Sequence, residues 1–198
     1  SYNIYFDTGE DFVNTENLSY THNVDSYETE FCYTIKGVNS AGESPGISAC
    51  ATTNNNLPPI ANAGLDEYVE VEHDGDLNTS EVEVLFEGSG QDPEGSSITY
   101  LWTQVSGDAV ELNDVNASTI SFQANNSFGN DPKIYVFELT VTDTYLKGNP
   151  PESASYSHTD LVSAIVTAEQ NQSPNSPEPV DLIAVGDGSA VYTIDDTD

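Results

Sequence analysis

Arginine and methionine are missing from this chain of 198 residues, and three lysines (Lys36, Lys133, Lys147) stand against 34 acidic side chains, for a formal net charge of −31. Phosphate binding needs clustered cations, so nucleic acid is excluded as a partner. Anionic membrane surfaces are excluded on the same ground. No uninterrupted apolar run has the length of a membrane helix. The chain begins with neither an initiator Met nor a signal-type stretch, as expected of a mature or excised portion of something longer. Histidine is scarce too: His22, His73 and His158 are scattered, none in a metal-binding spacing. Nucleophile elbows and phosphate-cradling glycine loops are lacking, and nothing singles out a general-acid and general-base couple among the carboxylates. The expectation is a protein that is not an enzyme.

What is abundant is Thr, Ser, Val, Asn, Tyr and Gly, without amphipathic helical stretches, which favours an all-β fold. Strands are expected at Ser1–Phe6, Asn17–His22, Glu30–Asn39 and Gly46–Thr53. Over Glu30–Asn39, Phe31, Tyr33 and Ile35 fall on one face and Cys32, Thr34 and Lys36 on the other. The Ser40–Ser44 turn joins the last two strands in a hairpin. Cys32 and Cys50, the only cysteines, flank it about symmetrically on the face away from the core. Cross-strand pairing brings them within disulfide reach, as suits an oxidising exterior. The extreme acidity suits a solvated surface in brine, seawater or a calcium-rich exterior, and some carboxylates could converge on Ca²⁺, which takes oxygen ligands.

Tyr2-Asn3-Ile4-Tyr5 and the run Phe31 to Pro45, with its Asn-Ser-Ala-Gly-Glu-Ser turn, resemble the second half of a fibronectin type III domain. Pro179 to Ile194 resembles the missing first half, two strands joined by Gly186-Asp187-Gly188. The family's core Trp is absent there, and Tyr192 or Ile194 stands near its place. Between these halves, Ile60 to Asp66, Gly88 to Gly95, Tyr100 to Gly107 and Leu139 to Asp143 resemble a PKD-type (polycystic kidney disease) domain, in the family's order and spacing. The resemblance implies immunoglobulin-like β-sandwiches in tandem, one complete and one split between the chain ends. The expected division is 1–53 type III-like, 54–59 a linker stiffened by Pro58 and Pro59, 60–169 PKD-like, 170–178 linker and 179–198 type III-like. It also implies an extracellular or cell-surface location.

The same resemblance places Ca²⁺ at Asp92 and Asp143 with an oxygen from Asn55 or Asn56. The alternative is that both aspartates cap turns through backbone hydrogen bonds. Asp74 to Ser80 alternates oxygen-bearing residues but reads as a hairpin loop. Candidate glycosylation acceptors are Asn17, Asn78, Asn116, Asn125 and Asn171. Trp102 corresponds to the buried core Trp of the sandwich rather than a sugar-stacking platform.

A type III sandwich without its first two strands exposes an edge and one wall of its core, and open edges pair with other chains. Val180, Leu182, Ile183, Val185, Val191 and Ile194 would then meet Tyr2 and Ile4 of a neighbouring copy. Burying about five such side chains contributes on the order of 7–15 kcal/mol gross, most of it offset by ordering. Separate subunits exchanging strands, one repeat of a tandem array, and a piece cut at odd places all remain open. The functional expectation is a structural repeat unit of an extracellular filament, pilus-like fibre or giant adhesin. The alternative is a spacer or carbohydrate-binding accessory region of a secreted hydrolase.

Overall fold

The computed structural model describes residues 1–6, 11–74, 76 and 78–170. The expected 179–198 segment, with Val180, Leu182, Ile183, Val185, Val191 and Ile194, and the candidate acceptor Asn171 therefore lie outside the described residues, as does most of the 170–178 linker. No helix occurs among the described residues, and none long and apolar enough to cross a membrane.

The first unit is built from β1 (Tyr2–Phe6), β2 (Phe12–Thr15), β3 (Ser26–Tyr27), β4 (Glu30–Asn39), β5 (Gly42–Glu43) and β6 (Ile47–Thr52). One antiparallel sheet runs β2-β1-β4-β6, with β5 folded back on the end of β4. Register sets its two faces. Ile4 lies opposite Val13 and Ile35, and Ile35 opposite Ile47, which makes one face apolar. The alternate positions carry Asn3, Asn14, Thr34 and Ser48 on the outer face. The β4 strand occupies the expected span with the expected alternation. The expected strand at Asn17–His22 does not form; the strand in this region is Phe12–Thr15. A strand requires a ladder partner, and the segment proposed to flank Asn17–His22 lies outside the described residues.

The second unit follows the Asn54–Pro59 linker. It comprises β7 (Ile60–Asn62), β8 (Glu67–Glu70), β9 (Glu81–Glu87), β10 (Ser89–Gln91), β11 (Ile98–Ser106), β12 (Thr119–Asn125), β13 (Lys133–Asp143), β14 (Tyr145–Lys147), β15 (Glu152–Ala154) and β16 (Ser157–Thr167). The sheet β11-β13-β16-β8 faces the pairs β12-β9 and β10-β7. Between them lie Val84, Phe86, Trp102, Ile120, Phe122, Tyr135, Phe137, Leu139, Val141 and Val162, all buried. Period-two alternation produces this layer: in β13, Tyr135, Phe137, Leu139, Val141 and Asp143 all turn inward. Phe86 stacks near-parallel on Trp102 at 6.2 Å, and the indole Nε1 donates to the Ala117 carbonyl at 3.0 Å. The all-β sandwich expected from the sequence is thus observed.

A third small sheet, β15-β14-β3, spans the two units, because Ser26–Tyr27 adds in parallel to Leu146–Lys147.

Candidate functional site

Among the described residues, no strand covers the apolar face of the first unit. Ile4 and Phe31 are buried at its floor, yet Ile47 is 79% and Ile35 47% exposed, and Leu18 is 93% exposed beside them. Ile4, Leu18, Ile35 and Ile47, with Tyr2, Tyr20 and Tyr33, line a groove of about 560 Å³. His22 closes one end, with Phe6 at 4.8 Å and the Tyr33 hydroxyl 3.1 Å from its Nδ1. Of the two interface residues expected here, Tyr2 is partly exposed and Ile4 is already buried beneath the groove.

The outer face of the same sheet is closed by polar bonds. Cys32 and Cys50 are direct cross-strand neighbours and form a disulfide. Glu30 lies near both sulfurs, but the disulfide leaves no thiolate to ligate a metal. Glu43 accepts from Asn3 Nδ2 and the Tyr5 hydroxyl, each at 2.6 Å, and from Lys36 Nζ at 3.0 Å. The Tyr5 hydroxyl, then Asn3 and Lys36, hold its carboxyl down at about 2.

At the joint between units, Glu28 accepts from Lys147 Nζ and from the Tyr156 hydroxyl at 3.2 Å. Lys147 lowers the Glu28 pKa, chiefly through that hydrogen bond. Ser26 Oγ donates to the Gly148 carbonyl at 3.2 Å, and Gly148 N donates to Thr29 Oγ1 at 2.7 Å. Tyr27 packs edge-on to Tyr145, which stacks on Tyr156. The bond with Tyr156, followed by burial, pushes the Tyr145 hydroxyl up to about 12. Sequence reasoning missed this cluster. The available signal was Lys147, one of three lysines in the whole chain, whose partner was therefore worth seeking.

Two of the expected calcium ligands, Asn56 and Asp143, meet at this same pole of the second unit. Asn56 is 3% exposed and Asp143 fully buried, and Asn56 Nδ2 donates to Asp143 Oδ2 at 2.6 Å. Asp143 Oδ1 accepts from Tyr156 N at 2.6 Å. Asp92 Oδ1 accepts from Glu94 N and Ser96 N, at 3.1 and 2.7 Å, capping its turn. Glu94 Oε2 in turn accepts from Leu57 N. Asn55, the alternative linker ligand, is exposed. Turn capping thus engages one oxygen of Asp92. Its Oδ2 is buried without a hydrogen-bond partner, as is Asn56 Oδ1. Since Asn56 Nδ2 faces two acceptors, Asp143 Oδ2 and the Leu57 carbonyl, the amide orientation is fixed and its oxygen turns elsewhere.

Other expected residues stand apart. Asn17, Asn78, Asn116 and Asn125 are exposed, though Asn125 Nδ2 donates to Ser80 Oγ at 2.7 Å. Asp74 binds its own loop, accepting from Thr79 Oγ1 and Asp76 N; the loop is not the expected hairpin, because β8 and β9 on either side of it pair in different sheets.

The family model described as "K319L-like, PKD domain" matches residues 73–149. The chain carries a PKD-type domain. One similar solved structure is the PKD domain of human KIAA0319, 16% identical at a TM-score of 0.37, with 60% of this chain and 89% of that one covered. Another is a nucleoside hydrolase-related hypothetical protein from Saccharophagus degradans associated with carbohydrate metabolism: 17% identity, TM-score 0.36, 58% of this chain covered. This chain spans only 26% of that protein. A third is human mucin-like protocadherin EC1-2, 14% identical at a TM-score of 0.40, with 85% and 84% covered. No curated protein matches the chain. PKD-type domains are typically non-catalytic modules, and they and disulfides are typical of extracellular proteins.

Proposed function

We propose that this chain is a structural repeat unit of an extracellular adhesin or filament, in which the 179–198 segment of one unit completes the first unit of the next. The apolar face that no described strand covers carries this reading. Monomeric proteins rarely leave a contiguous apolar surface of this kind open, and Ile47 and Ile35 stand in register as half of a core. The Val180–Ile194 pattern supplies the complementary strands in type III-like form, and strand addition to an open sandwich is an established mode of joining. Such a contact uses two different surfaces, so it propagates rather than closes.

Ca²⁺ at the joint belongs to the same reading. Asn56 Oδ1 and Asp92 Oδ2 are the hard donors left over, with Asp143 beside them. Bound there, the ion would neutralise buried negative charge where linker and sandwich meet.

The test is sedimentation of the full chain and of Ile47→Lys. Ile47 is exposed, so its replacement spares the fold. We expect concentration-dependent, open-ended assembly of the parent and a monomeric variant. Parent and variant both monomeric at high concentration would refute the joining mechanism. For calcium, we expect a rise in Tm on adding the ion that Asp92→Asn removes.

A further inference from the structure

The opposite pole of the PKD-type domain repeats the unusual feature of the joint. In β12 the inward positions Ile120, Phe122 and Ala124 are followed, at the next inward step, by Asn126. It is fully buried at a place where the alternation calls for an apolar residue. Its Nδ2 donates to the Val166 and Asp131 carbonyls at 2.8 and 3.1 Å. That fixes the amide, and Oδ1 is buried without a partner. Beyond the end of β16, Glu169 is 2% exposed. Its Oε1 lies 2.6 Å from His73 Nδ1, and its Oε2 has no partner. The ends of β8, β12 and β16 and the starts of β9 and β13 all lie at this pole, as their pairing registers require.

Among the described residues, the buried side-chain atoms without a partner are Asn56 Oδ1 and Asp92 Oδ2 at the joint, and Asn126 Oδ1 and Glu169 Oε2 here. All are oxygens, and all are acceptors. A buried acceptor without a donor costs free energy, and a carboxylate oxygen more than a neutral one. The lysines do not answer these oxygens, since Lys36, Lys133 and Lys147 already engage Glu43, Asp108 and Glu28, and arginine is absent; His73 meets Glu169 Oε1 alone and leaves Oε2 without a partner. Oxygen donors in an acidic chain suit a hard divalent cation.

We propose that this far pole is a second cation site, taking Ca²⁺ or an ion of the same oxygen-seeking class on Glu169, with Asn126 the neutral oxygen donor of the same pole. It uses no residue of the joint. A PKD-type domain with an ion at each pole would be stiffened where the chain enters and where it leaves.

Isothermal titration of the full chain with Ca²⁺ at physiological ionic strength tests this, with Mg²⁺ as comparator to remove diffuse binding by the acidic surface. We expect Asp92→Asn to retain a saturable equivalent that is lost when Glu169→Gln is added. Amide NMR shifts at Asn126 and Ala168–Gln170 on adding Ca²⁺ to the Asp92→Asn chain locate it. Loss of all saturable binding in Asp92→Asn overturns the far-pole site and leaves the joint site standing. Unchanged stoichiometry in Glu169→Gln also overturns it. Unchanged stoichiometry in Asp92→Asn, with loss in Glu169→Gln, sinks the joint site alone.

Discussion

Lys147 on β14 donates to Glu28 beside β3, and this ion pair crosses from the second unit to the first. The Glu28 carboxyl is lowered by Lys147, and the ammonium is raised by Glu28. A lowered carboxyl contributes stability above its ordinary value of 4.5, and this is lost as pH falls through the lowered folded value. The raised Lys147 and Tyr145 groups lose theirs as pH rises through their folded values, about 12 for Tyr145. The joint should therefore hold its geometry from mildly acidic to mildly alkaline pH and loosen outside that window. Residual dipolar couplings of the two units across pH, in parent and Glu28→Gln, measure it. The variant should show broader inter-unit motion even at neutral pH.

Glu43 should set an acid limit of its own. Its folded value of about 2 lies below the ordinary 4.5, so its contribution is complete above 4.5 and lost as pH falls through about 2. Urea midpoints of parent and Glu43→Gln should differ at pH 6 and converge as that limit is reached. A constant difference would mean that Glu43 acts by packing alone.

Breaking the disulfide should weaken the first unit specifically. Its cysteines are 18 residues apart, and closing a loop of that size stabilises by about 3 kcal/mol. The double variant Cys32→Ala/Cys50→Ala should lose that amount in chemical denaturation, while Trp102 fluorescence still reports an intact PKD-type domain.

Gly88 should resist any side chain. A Cβ there would stand 2.6 Å from Trp102 Cζ2, 2.8 Å from the Ser118 carbonyl and 2.9 Å from Leu139 Cδ2. Two of those contacts are packed core atoms and one is backbone, so Gly88→Ala should cost about 1–3 kcal/mol. Calorimetry gives the loss, and Trp102 emission, shifted red, gives its place.

The parts of this fold legible in the sequence are those written in periodic patterns. The alternation of Glu30–Asn39 placed β4 residue for residue and put Cys32 opposite Cys50. The motifs around Trp102 and Asp143 located the PKD-type core. What escaped is written in short or distant pairings. Ser26–Tyr27 is a strand only because Leu146–Lys147 lies beside it, and a dipeptide carries no period. Phe12–Thr15 is likewise too short to alternate visibly. Pattern alone did not separate the two adjacent linker asparagines, of which Asn56 is buried and Asn55 exposed. Glu169 was lost among 34 acidic residues, since no pattern separates a buried carboxylate from its solvated neighbours.

Within the PKD-type domain, β8 lies near the beginning and β16 at the end, and the two run parallel from Ala164↔Glu67 to Thr167↔Glu70. Tension drawing the linkers apart slides these strands along each other. The hydrogen bonds between them are then loaded together, in shear, instead of opening one rung at a time. The strand direction itself places those rungs in shear, behind the β7–β10 ladder that stands between the linker and β8.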